Sequence, residues 1–201
     1  MVVLRYMLFV WVLFPLSLWA QSDVYSAFSK SYQLEGDGQF AAAAAELEGL
    51  KQNTYAVNLR LGWLYYQNGQ YTVSLNYYSK AINLQPTSVE ARLGYVLPAA
   101  KLKAWKNVGA QYDAILKLDP NNYKANYYRG LMYYNMANYK VAANYFDRMC
   151  SLYPFDYDVV ILSAWNSYYL KDMEKSKSLF EQALLIQPNS SSAKEGRNLT
   201  K

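Results

Sequence analysis

Residues 55–88 read YAVNLRLGWLYYQNGQYTVSLNYYSKAINLQPTS, and the three stretches that follow, 89–122, 123–156 and 157–190, repeat the pattern. Proline marks the period: Pro86, Pro120, Pro154 and Pro188 lie 34 residues apart. Eight residues before each proline stands an aromatic ring, Tyr78, Tyr112, Phe146 or Phe180, and fifteen before it a bulky residue, Tyr71, Trp105, Tyr139 or Met173. Small residues recur 24 before the proline as Gly62, Gly130 and Ala164, with Val96 in the irregular second stretch. A period of this length signals stacked supersecondary units that bury one another's apolar faces. Each unit divides into two helical patterns around a tight turn such as Gly69-Gln70, and the residue before proline resists the helical region, so each unit ends at a fixed place. Pro98 falls inside a first helix and threatens its hydrogen bond to the Gly94 carbonyl.

Outward from the repeats, residues 21–54 form a degenerate helix pair. Val24, Ala27, Phe28 and Leu34 keep a helical spacing, Gly36-Asp37-Gly38 breaks it, and the Ala-rich run from Phe40 follows. Residues 191–201 are a polar terminal helix, capped from Asn189-Ser190-Ser191-Ser192 and expected to cover Phe180 and Leu184. Residues 1–20 carry one charge, Arg5, then an apolar run over 6–19 and a polar start at Gln21, the pattern of a cleaved export signal. The expected location is therefore periplasmic or secreted, with anchoring by residues 6–19 as the alternative. Without Arg5 the 20 basic residues become 19 against 15 acids, a net charge of +4.

Composition narrows the function classes. A formal charge of +5, scattered along the chain, gives no nucleic-acid footprint, so no nucleic acid is expected as partner. There is no histidine, which removes the commonest general base and metal ligand. Cys150 is the only cysteine and shares its repeat slot with Ile82, Leu116 and Leu184, so it reads as a buried small hydrophobe. Asp156 and Asp158 flank a helix start, where carboxylates favour free N–H groups over chemistry. The chain is read as non-catalytic, with no cofactor and no metal.

The pattern resembles the tetratricopeptide repeat family. In 55–88 the resemblance rests on Leu61, Gly62, Tyr65, Tyr71, Tyr78, Ala81 and Pro86. In 123–156 it rests on Gly130, Tyr133, Tyr139, Ala142, Phe146 and Pro154, and in 157–190 on Ala164, Phe180, Ala183 and Pro188. Ser163 and Ser167 replace the usual large residues there. The resemblance implies an all-α, right-handed α-solenoid of antiparallel helix hairpins. An export signal ahead of such repeats resembles envelope proteins of Gram-negative bacteria of the Bacteroidetes kind.

The family binds peptides on the concave face made by the first helix of each pair. Carried onto this sequence, that face comprises Leu59, Trp63 and Tyr66, then Leu97 and Lys101. Tyr127, Leu131 and Tyr134 follow, then Ile161, Trp165, Tyr168 and Tyr169. Trp63 and Trp165 lie one position beyond a small residue, so both are expected to point away from their own partner helix. Leu59, Trp63, Leu93 and Leu97 stand where clamps for a C-terminal carboxylate need lysine and asparagine, which argues against an acidic tail as ligand. The expected function is an interaction scaffold taking a protein or peptide segment in an aromatic groove. The alternative is an assembly subunit of an envelope complex that uses its convex face or its ends. Membrane contact is expected only through the N-terminal segment, if uncleaved.

Overall fold

The computed structural model describes residues 17–201, with side chains from Asp23 onward, so the expected export signal lies outside the described residues apart from the backbone of 17–20. The chain divides into two units, residues 1–53 and 54–201. In the first, α1 (Ser17–Gly36) and α2 (Phe40–Glu48) form a hairpin around Gly38, whose φ of 73° suits a residue without Cβ. Ala43, Ala44 and Leu47 are buried, and Lys30 meets Glu46 at 2.6 Å.

The second unit holds four hairpins and one further helix. They are α3 (Tyr55–Gln67) with α4 (Tyr71–Leu84), α5 (Val89–Lys101) with α6 (Trp105–Leu118), α7 (Tyr123–Asn135) with α8 (Tyr139–Leu152), α9 (Tyr157–Tyr169) with α10 (Met173–Ile186), and α11 (Ser191–Leu199). Every first helix of a hairpin has 13 residues and every second helix 14. Each second helix packs on the first helix of the next pair, the ordering of an α-solenoid. α5 runs through the buried Pro98 to the same length as its counterparts.

Two local devices set this regularity. The helix starts are capped in phase by Thr54, Ser88, Asn122, Asp156 and Ser190, whose side chains accept from the backbone N–H three residues on. The turns inside the hairpins share a left-handed residue, Gly69, Lys103, Ala137 or Lys171, with φ between 55° and 76°. Only the first is glycine, so the other three hold a conformation that L-residues resist.

The core is built at the seams. Tyr78 lies over Gly62 of its own hairpin and Gly94 of the next, where a Cβ would come within 2.8 and 2.2 Å of the ring. Phe180 lies in the same way on Gly196 of α11, where a Cβ would come within 2.1 Å. Burying each such ring contributes about 2–3 kcal/mol. Inside the hairpins, the buried Ser74 Oγ donates to the Gly62 carbonyl at 2.6 Å, and Ser176 Oγ to the Ala164 carbonyl at 3.0 Å. Small residues thus bring the backbones together and the hydroxyl is satisfied there. Cys150 is half-buried against the α9–α10 core, and burial raises its pKa.

Candidate functional site

The first helices are held side by side by bonds between consecutive hairpins. The Tyr55 hydroxyl lies 2.8 Å from Ser88 Oγ, Tyr123 Oη donates to Asp156 Oδ2 at 2.6 Å, and Tyr157 Oη lies 2.5 Å from Ser190 Oγ. Each ring at a helix start therefore grips the capping side chain of the next first helix. Val89 has no hydroxyl and cannot make this bond. The same boundary instead carries a bidentate pair, Arg129 Nε and Nη2 to Asp113 at 2.7 and 2.8 Å, with the guanidinium over the Tyr133 ring. The tyrosine period at 55, 123 and 157 was visible in the sequence, but its hydroxyl partner one unit away was not.

The expected face residues fall into three ring clusters and a gap. Trp63 packs on Tyr66 at 5.9 Å, and Tyr66 on Tyr71 at 5.8 Å; Leu59 beside them is half-buried. Tyr127 stacks on Tyr123 and meets Tyr128 edge-on at 5.2 Å, with Leu131 half-buried further along α7. Burial first, then the Asp158 charge, raises the Tyr127 pKa. The third cluster crosses a hairpin boundary. Tyr134 meets Tyr139 and Tyr169 edge-on, Tyr139 and Tyr169 stack at 4.7 Å, and Trp165 and Tyr168 join from the same side. Burial, then the neighbouring Tyr169, raises the Tyr134 pKa. Tyr71 and Tyr139, from second helices, were absent from the sequence-derived set and complete two of these clusters. Between the first and second clusters lie Leu97, 38% exposed, and the exposed Lys101.

Trp165 departs from expectation. Its ring meets Phe180 of its own partner helix edge-on at 4.9 Å, and its indole N–H donates to Ser192 Oγ of α11 at 2.9 Å. With α11 in the place of a next first helix, Trp165 closes a seam, and Ile161 packs on the same core. Tyr168 and Tyr169 are the more open members of this helix end; Tyr169 is 44% exposed and Lys171 lies over the Tyr168 ring at 5.6 Å. A half-buried aromatic surface with few charges can bury apolar groups of a ligand while its hydroxyls remain available for hydrogen bonds.

Family profiles described as tetratricopeptide repeat match residues 55–88, 110–157 and 161–190. Among solved structures, the chain is similar to a tetratricopeptide repeat protein from Parabacteroides merdae ATCC 43184, with 20% identity and a TM-score of 0.75 over 89% of this chain and 72% of that one. It is also similar to YrrB, a TPR protein with an unusual peptide-binding site, with 16% identity and a TM-score of 0.69 over 86% and 90% of the chains. A third is MamA from Desulfovibrio magneticus RS-1, with 15% identity and a TM-score of 0.70 over 84% and 97%. At these identities the likeness is one of fold. No curated protein is significantly similar to the chain.

Proposed function

The chain belongs to the tetratricopeptide repeat family, and from that premise we propose that it is a non-catalytic scaffold holding an extended peptide or protein segment on the aromatic face of its first helices. The observation that carries this reading is the ring cluster of Tyr134, Tyr139, Tyr168 and Tyr169, which spans two hairpins and leaves Tyr169 44% exposed. A neighbour in fold, YrrB, is described as a TPR protein with an unusual peptide-binding site, which supports a peptide as the class of ligand. The ligand is expected to be apolar and poor in acid, because Lys101 is the only cation among the face residues. Export to the periplasm or medium is part of the proposal and rests on the pattern of residues 1–20.

Assembly through the C-terminal end is disfavoured. Phe180 is sealed under Gly196, and α11 exposes Lys194 and Arg197 to solvent, with Lys201 exposed beyond its end. The test is selection of binders from a displayed library of unstructured peptides, followed by affinity measurement on variants. Tyr168→Ala and Trp63→Ala should each weaken selected peptides by tenfold or more, since central aromatic anchors contribute about 2 kcal/mol. Trp165→Ala is a poor probe because that residue also holds α11. Unchanged affinity in both variants, with helicity retained, would sink the groove reading.

A further inference from the structure

The 20 basic residues are scattered in sequence, but the hairpin register gathers a subset of them. The turns inside the hairpins all lie on one edge of the stack. Tyr139, which opens α8, stacks on Tyr169 at the end of α9, and Asn166 Nδ2 donates to the Tyr139 carbonyl at 3.0 Å. Gly109 near the start of α6 faces Met132 and Arg129 of α7, which places the preceding turn on the same edge. Four stretches, 67–72, 101–106, 135–140 and 169–174, make this edge, and they hold five lysines against two acids, Asp172 and Glu174, both in the last stretch. The loops of the opposite edge, 85–88, 119–122, 153–156 and 187–190, contain no lysine or arginine and include Asp119 and Asp156.

The basic edge is also apolar at its tips. Leu102 is 44% exposed, Trp105 51%, Met136 62% and Leu170 41%. Lys103, Lys106 and Lys140 stand exposed among them. Exposed tryptophan and aliphatic tips between lysines match the headgroup layer of a bilayer, where an indole prefers the interface and each cation gains from anionic lipid. Among the described residues no helix is long and apolar enough to cross a membrane.

We propose that the exposed tips of the edge formed by residues 101–106 and 135–140, namely Lys103, Trp105, Lys106, Met136 and Lys140, dock the solenoid on an anionic lipid surface without help from residues 6–19. The full chain is sedimented with mixed phosphatidylcholine–phosphatidylglycerol vesicles and with pure phosphatidylcholine vesicles, over a range of salt. The wild type should prefer the anionic vesicles and lose that preference as salt rises. Removing one interfacial lysine lowers partition about fivefold, so the triple variant Lys103→Gln, Lys106→Gln, Lys140→Gln should lose on the order of a hundredfold. Trp105→Ala should weaken binding at every salt concentration, while Trp63→Ala and Tyr168→Ala retain it. Residues 6–19 are the same in all variants and cannot create these differences. Equal sedimentation of wild type, triple variant and Trp105→Ala, with circular dichroism unchanged, would overturn the proposal. So would binding of poly-glutamate by a chain that ignores both vesicle types, which would assign the edge to an acidic protein instead.

Discussion

Ala137 turns the chain between α7 and α8 with a φ of 55°, in the slot that Gly69 fills with a φ of 76°. The left-handed region costs an L-residue about 1–2 kcal/mol through its Cβ. Glycine gives part of that back in chain entropy, by about 0.5–1 kcal/mol. Ala137→Gly is therefore expected to stabilise the protein by about 0.5–1 kcal/mol, read as a rise in Tm. A fall in Tm would mean that the turn is not strained. The turn itself was legible at Gly69-Gln70, but the strain at Lys103, Ala137 and Lys171 was not, because none of those residues signals a left-handed conformation. The direction of Trp165 was hidden for a related reason. It depends on two small residues of α11, Ser192, which accepts the indole N–H, and Gly196, which lies against Phe180, and only the folded chain brings them there.

At the scale of the helix, the informative residue is the cap. Asp156 accepts from Val159 N at 3.2 Å and from Tyr123 Oη at 2.6 Å, so it both starts α9 and ties it to α7. Asn122 caps α7 in the same manner but receives no tyrosine, because Val89 stands where Tyr55 and Tyr123 stand in their units. Losing a cap costs about 1 kcal/mol, and stranding a partly buried hydroxyl adds about 1 kcal/mol more. Asp156→Ala should therefore destabilise by about 1 kcal/mol more than Asn122→Ala in urea unfolding. Equal losses would show that the tyrosine bond adds nothing. Helix boundaries were readable to this precision because proline and cap recur in phase. The bonds between neighbouring first helices were not, since they join side chains 33 residues apart whose approach depends on how hairpins stack.

For the whole molecule, the 22 tyrosines decide the response to pH. Burial raises the pKa of Tyr78 and Tyr112, which are only 3% and 5% exposed, and it is the leading cause of the upward shift at Tyr123, Tyr134 and Tyr145. The protonated phenol is thus the form the fold prefers. A raised folded-state value leaves stability intact below the unfolded value of about 10 and removes it as pH climbs toward the folded one, because the unfolded chain releases protons first. Tyr78 and Tyr112 sit at successive seams, so each would lose about 1.4 kcal/mol per pH unit in that window, and the loss strikes the contacts that join hairpins. With no histidine, no side chain has its ordinary titration between about pH 6 and 8, and Tm should be flat there. Above about pH 10 it should fall steeply. Phenolate absorbance should rise in two stages, the exposed rings first and the seam rings together with the loss of helical ellipticity. A single smooth titration of all tyrosines with helicity retained would mean that the seams admit water freely, and that the rings do not hold the stack together.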